Sequence, residues 1–269
     1  MDFMKPETVL NLDNIRQALI RMEDTIVFDL IERSQFYSSP SVYEINKFNI
    51  EGFKGSSFLD WSLIQMEKAH SQIRRYEAPD ESPFFPDQIL KPILPPIKYP
   101  KILAKYTDEI NVNEEIKQFY VNEIVPQVSC KIGEQEENLG SVSTCDIECL
   151  QAISRRIHFG KFVAEVKYQS DKLNYIRLIK LKDVKGIEDS ITNSVVENKI
   201  LERLIIKGQN YGVDPSLKYS QNPQSKVKPE VIAKLYKDYI IPLTKKVEVD
   251  YLLRRLEDED EELVKSVEV

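Results

Sequence analysis

Long stretches of the chain carry apolar residues at helical spacing. The longest, residues 141–171 (SVSTCDIECLQAISRRIHFGKFVAEVKYQSD), has no Pro and a single Gly, enough for a helix of about 45 Å. Leu150, Ile153, Ile157, Ala164 and Tyr168 make one apolar stripe on it, and Ala152, Phe159, Val163 and Val166 make another on the far side. A helix apolar on two faces is normally buried among several neighbours, so this segment is the expected centre of the fold. Leu12, Ile15, Leu19, Met22, Ile26 and Leu30 predict a helix over residues 12–36, capped by Asn11 or Asp13. Further helices are expected over 58–76, 109–129 and 194–211, the last capped by Asn193, with short ones filling 172–189. Ser143 and Asp146 form a plausible capping pair at the start of the central helix. A last helix runs from Pro229 to about Arg255, with Pro242 as a kink.

Two segments break the pattern. Residues 79–100 hold seven of the fourteen prolines, which forbids a long helix or a central strand. They also carry Phe84, Phe85, Ile89, Ile93, Leu94, Ile97 and Tyr99, so they read as a packed, extended crossover within one domain rather than a solvated linker. Residues 212–227 read as a polar loop.

Composition narrows the class. Only eight Gly in 269 residues, together with the recurring helical periods, points to an all-α fold: a single-domain multi-helix bundle over residues 1–256. The formal charge of −7 comes almost wholly from residues 257–268, whose seven acids and one base supply −6, and this acidic tail (257–269) is expected to be disordered. The rest is near neutral with no basic stripe, which argues against nucleic acid. Cys130, Cys145 and Cys149 have no finger-like spacing to His70 or His158, so no metal site is expected. No run reaches the roughly 18 apolar residues of a membrane span, and the N-terminus lacks a signal peptide's apolar core. A soluble, cytoplasmic protein is expected.

The chemistry lies in polar groups aimed at apolar faces. Arg156 and Lys167 are eleven residues apart, three turns, and share one line along the central helix with Gly160 and Val163 between them. Arg16 sits at the edge of the first helix's stripe. Glu197 follows Asn193 by one turn, and Glu248 follows Thr244 by one turn inside an apolar stripe. Each alone fits a solvated edge or a snorkelling cation. Four helices doing the same thing point to one interior pocket with two Arg, one Lys and two Glu, suited to a small, doubly anionic ligand with hydroxyl groups.

The strings GSVSTCDIECLQAISRRIHFGKFVAEVKYQSD, ITNSVVENKILERL, YGVDP and IPLTKKVEVDYLLRRLE resemble the fungal, allosteric all-helical chorismate mutases, as do MDFMKPETVLNLDNIR and FPDQI. The resemblance covers about residues 1–256. It implies a homodimer with one active site per subunit and no cofactor, rearranging chorismate to prephenate on the way to Phe and Tyr. It further implies that Arg16 and Arg156 bind the two carboxylates and that Lys167 and a protonated Glu248 address the ether oxygen. Glu197 would accept from the ring hydroxyl, while Asn193 and Thr244 would help seat a carboxylate. An effector site for L-tyrosine as inhibitor and L-tryptophan as activator is implied at the dimer interface, matching Arg74, Arg75, Asn138, Gly140, Ser141 and Thr144. One departure concerns regulation: Lys228 stands where the family has Thr before the Pro that opens the last helix. An alternative of another class is a helical homodimer that senses aromatic amino acids without catalysis, but such a sensor would not need Arg16, Arg156, Lys167, Glu197 and Glu248.

Overall fold

The computed structural model describes residues 1–52, 54–213 and 225–268. Its helices are α1 (Pro6–Val9), α2 (Leu12–Arg33), α3 (Phe58–Gln72), α4 (Asn113–Phe119), α5 (Val125–Val128), α6 (Leu139–His158), α7 (Gly160–Ser170), α8 (Lys172–Lys180), α9 (Val184–Ile191), α10 (Ser194–Tyr211), α11 (Pro229–Leu235), α12 (Ile241–Leu253) and α13 (Glu261–Ser266). Among the described residues there is no strand, only one isolated bridge between Tyr37 and Lys131. The all-α class expected from the periodicity is the observed one.

The central segment is helical and buried as expected, with Leu150, Ile153, Ile157, Ala164 and Tyr168 shut off from solvent. It is two helices rather than one. Phe159 interrupts it, and the next turn tightens, with Phe162 N donating to Phe159 O at 3.1 Å. Beyond the break Gly160 lies hard against α12, where an added Cβ would meet Thr244 Cγ2 at 3.0 Å and Glu248 Cγ at 3.2 Å. The missing side chain lets the two helices that carry Lys167 and Glu248 approach closely. α2 packs along α6, and α12 along α7. The α2–α6 pair is pinned by a wholly buried ion pair: Arg33 Nε donates to Asp146 Oδ1 at 2.6 Å. The hydroxyls of Tyr43 and Tyr120 also donate to that carboxylate, at 2.6 and 2.8 Å. Asp146 is therefore a core acceptor and not half of a capping pair with Ser143, since α6 has already begun at Leu139.

Helix ends follow local chemistry. Asn11 caps α2, its carbonyl accepting from Asp13 N and Asn14 N, and Asn193 caps α10 through Val196 N. α3 opens on a Ser57–Asp60 capping box and stops at Gln72, short of the expected 76, because Arg74 turns left-handed at φ 69°. The helix expected over 109–129 begins at Asn113 and widens into a π turn over Tyr120–Ile124, just ahead of Pro126. The kink expected at Pro242 takes the same form, a π turn over Tyr236–Ile240. In both, a Pro that lacks an N–H sits at the start of the following helix, where that donor is not required.

The Pro-rich crossover is extended, and side chains from the helices satisfy its backbone. Glu67 accepts from Phe84 N and Phe85 N (2.6 and 2.9 Å), Ser71 from Leu90 N, Glu77 from Ile97 N and the Tyr251 hydroxyl from Ala104 N. Its packing is only partial in a single chain. Phe84 and Phe85 pack on the core, while Ile89, Leu90, Ile93 and Leu94 are exposed, Ile93 by 73%.

The acidic tail corrects the expectation of disorder. Residues 255–258 form a 3-10 turn and α13 follows, capped by Asp260. A run of six acids (257–262) followed by apolar positions lets it dock: Leu263 and Val267 pack against the core while Asp258 and Glu259 meet basic partners. Of the loop expected over 212–227, residues 214–224, which include the end of the YGVDP motif, lie outside the described residues.

Candidate active site

α2, α6, α7, α10 and α12 enclose a cavity of about 230 Å³. Arg16, Arg156, Lys167, Asn193, Glu197, Thr244 and Glu248 all line it, so the seven positions singled out from four separate stretches of sequence converge on one space. Its apolar walls come from Leu12, Ile15, Leu19, Val163, Ile200 and Ile241. A groove of about 750 Å³ near the N-terminus is larger but more open, and its Arg155 is already held by Asp80 at 2.5 Å. The smaller cavity is the better candidate because two of its cations, Arg156 and Lys167, have no carboxylate partner among the described residues.

Arg156 comes from the last turn of α6 and is only 3% exposed. One guanidinium nitrogen lies 3.5 Å from Thr244 Oγ1, whose own proton goes to Ile240 O at 2.6 Å. The Arg156 Nε is buried and has no hydrogen-bond partner among the described residues. The Tyr236 ring stands 5.9 Å from the guanidinium. Lys167, in the last turn of α7, donates to Ile191 O at 2.7 Å, a carbonyl at the C-terminal end of α9. Burial lowers its pKa, with Glu248 opposing and Lys245 reinforcing that shift. Among the described residues no carboxylate comes within ion-pair range of either Arg156 or Lys167. For the buried Arg156 above all, and to a lesser degree for the half-buried Lys167, a missing counter-ion is costly, and an anionic ligand would remove that cost.

Glu248, 7% exposed, points from α12 into the same space. Burial pushes its carboxyl up to about 8, aided by Glu197 and opposed by Lys167, Arg156 and Lys245. It is therefore mostly neutral at pH 7 and can donate a hydrogen bond. Glu197 pairs with Lys245 at 2.7 Å. Arg16 differs from the expectation of an inward-facing group: it lines the cavity edge, 61% exposed, with its guanidinium on Asp13 at 2.8 Å. Asn193 serves as the cap of α10 at the cavity wall.

Lys245 escaped the sequence reading. The spacing Ile241–Lys245–Glu248 puts it on the cavity line of α12, and all three residues line the cavity.

One chain does not gather the expected effector positions. Arg74 donates to Pro95 O at 2.5 Å, and Arg75 is held by Glu81 at 3.2 Å and Gln151 at 2.8 Å. Gln151 is eleven residues beyond Gly140 on α6, about 16 Å along the helix. Gly140, Ser141 and Thr144 lie in its first turns with Asn138 just before them, and the Thr144 hydroxyl bonds back to Gly140 O at 3.0 Å. No helix of the described residues is long and apolar enough to cross a membrane.

A family model described as chorismate mutase type II matches residues 139–249. A chorismate mutase of Pichia angusta is 64% identical over 97% of this chain and 93% of its own. The crystal structure of a chorismate mutase from Candida albicans in complex with L-Trp superposes with a TM-score of 0.96, at 81% identity, covering 98% of this chain and 99% of that one. A structure of the protein AtCM1 with tyrosine bound in its allosteric site superposes with a TM-score of 0.81, at 40% identity, covering 91% and 96%. With that identity running over nearly the full length of fungal relatives, and with the helices and pocket in place, the chain belongs to the chorismate mutase family.

Proposed function

We propose that the cavity among α2, α6, α7, α10 and α12 rearranges chorismate to prephenate, with each lining residue in a distinct role. The observation that carries this reading is the buried Arg156, whose Nε has no partner among the described residues, with the half-buried Lys167 held only by a carbonyl, beside a Glu248 that burial keeps neutral. The reaction is an intramolecular pericyclic shift in which the ether C–O bond breaks as a C–C bond forms. It needs no nucleophile and no net proton transfer. The protein has two tasks: to hold the compact, chair-like conformer, and to stabilise the negative charge that grows on the ether oxygen.

Arg156 binds one carboxylate with its planar fork, and the Thr244 hydroxyl beside it helps seat the group. Arg16 at the cavity edge exchanges Asp13 for the second carboxylate, at small cost because the Asp13 pair is solvent-exposed. Lys167 exchanges Ile191 O for the ether oxygen, and Glu248 donates to the same atom from the opposite helix. Glu197 accepts from the ring hydroxyl, and Asn193 adds a polar contact at the carboxylate end. Lys245, released from Glu197, contributes a fourth positive charge.

Regulation belongs to the same proposal. The Candida albicans relative is solved with L-Trp and AtCM1 with tyrosine in an allosteric site. Here a second copy of the chain would supply Gly140, Ser141, Thr144 and Asn138 to the Arg74 and Arg75 of the first. The exposed Ile73, Ile89, Leu90, Ile93 and Leu94 on the α3–crossover face support a homodimer. Lys228, just before Pro229, makes no side-chain cap to α11, so the family's Thr at this position has no replacement here. Three free cysteines suit the reducing cytoplasm.

Loss of chorismate absorbance, measured alone and then with added Tyr or Trp, tests the whole. Conversion to prephenate that Tyr slows and Trp speeds is the expected result. Conversion indifferent to both would keep the mutase and discard the regulation, and no conversion at all would discard the enzyme.

A further inference from the structure

The C-terminal segment plays no part in the reading above, yet its contacts converge on the helix that carries Lys167. Arg255 grips Glu165 of α7 through Nε and a terminal nitrogen, at 2.8 and 3.1 Å, and its guanidinium lies 4.5 Å over the Tyr168 ring. Glu259 accepts from the hydroxyl of the fully buried Tyr168 at 2.8 Å and from Lys172 Nζ of α8 at 3.1 Å. Farther on, Lys180 at the end of α8 donates to Val267 O at 2.7 Å, while Leu263 and Val267 pack on the core. The tail thus straps the end of α7 and the whole length of α8.

Lys167 is the chain neighbour of Tyr168, in the last turn of a helix that ends at Ser170. Last turns lack intrahelical donors for their carbonyls; here Lys167 O accepts from Asp171 N at 3.2 Å and from Ser170 Oγ at 2.7 Å. Glu259, a side chain far along the chain, adds a further anchor through the Tyr168 hydroxyl. The carbonyl on which Lys167 rests belongs to Ile191 of α9, and α9 packs on α8, which the tail also holds. Both the stem of Lys167 and its resting place therefore depend on strapped elements.

We infer that Glu259 is a positioning residue, whose grip on the Tyr168 hydroxyl and the Lys172 ammonium fixes the last turn of α7 so that Lys167 faces the cavity. The inference rests on the proposed role of Lys167 at the ether oxygen. A shift of about 1 Å at such a group is worth up to a hundredfold in rate.

The test is Glu259→Ala in the full chain, with kcat, KM and the pH profile measured well below the variant's Tm. kcat should fall about tenfold while KM stays within about twofold, because the contact of Lys167 strengthens as the C–O bond breaks. The alkaline limb of the profile should also move to higher pH. A Lys167 that swings away no longer holds the Glu248 carboxyl down, while the other titratable groups facing Glu248 (Arg156 on α6, the neutral Tyr175 hydroxyl on α8, Glu197 on α10 and Lys245 on its own helix) stay in place. Glu259→Gln keeps an acceptor for both donors and should remain near wild type, whereas Tyr168→Phe should repeat the alanine result. Unchanged kcat in Glu259→Ala, an equal loss in Glu259→Gln, or a loss with an unshifted limb each overturns the inference. Lys167→Met, measured in parallel, tests the reading beneath it: if that variant keeps full activity the site assignment fails, whatever Glu259→Ala does.

Discussion

Glu248→Gln separates the two things a buried carboxyl can do here, donate a hydrogen bond or carry charge. With the carboxyl at about 8, roughly nine-tenths of the wild-type enzyme is in the donor form at pH 7 and about one-tenth at pH 9. kcat/KM should therefore fall nearly tenfold across that interval. The amide of Gln donates at every pH, so its profile should be flat from about pH 6 to 9 and should cross the wild-type curve on the alkaline side. Stability gives an independent reading. The folded-state value of about 8 exceeds the ordinary 4.5, so the folded chain holds this proton where the unfolded chain has released it. The stabilisation from this group is complete below pH 4.5 and is lost progressively as pH rises towards 8. At about 1.4 kcal/mol per pH unit, the loss across the window is on the order of 4–5 kcal/mol, an upper bound because the open cavity admits water. Glu248→Gln should accordingly melt higher than wild type at pH 8, with the gap closing towards pH 5. A wild-type rate profile flat through pH 9, or a Gln variant that declines in parallel with wild type, would refute the neutral-donor argument.

Four further outcomes are expected. Gly160→Ala should lower both Tm and kcat, at about 1–3 kcal/mol of overpacking, because the new methyl meets Thr244 and Glu248; circular-dichroism melting with steady-state kinetics checks it. Asp146→Ala strands the fully buried Arg33 and should cost roughly 3–5 kcal/mol in denaturant unfolding, with activity intact wherever the chain is folded. Arg156→Lys keeps the charge but loses the fork, and kcat/KM for chorismate should drop about 10- to 100-fold. Arg75→Ala should leave the basal rate within about twofold while abolishing the response to Tyr, as seen by titrating Tyr at fixed chorismate.

The pocket was more legible than the shape of the helices around it, and the reason is physical. Arg156, Lys167, Glu197 and Glu248 each set a charge near an apolar stripe, a conflict that local periodicity exposes and only a shared ligand resolves. Lys245 showed no such conflict, since a lysine beside polar neighbours reads as solvated surface until Glu197 on another helix is seen to hold it. Arg16 was found at the right wall but with its guanidinium outside, because Asp13, one turn away on the same helix, holds it in an exposed ion pair.

The break at Phe159 depends on tertiary fit, whereas the π turn ahead of Pro242 is the form taken by a kink the proline itself announces. Propensity gives no hint of the first, because Gly160 matters through what α12 places against it. The tail misled for the opposite reason. Its charge density alone predicts a solvated chain, but Asp258 and Glu259 face Lys101, Lys172 and the Tyr168 hydroxyl, so the same acids that signal disorder in isolation become the means of attachment. A segment's composition decides whether it can fold alone, and the charge of the surface it lands on decides whether it must. On this chain that surface is the back of the helix that presents Lys167, which makes the tail part of the architecture of the active site.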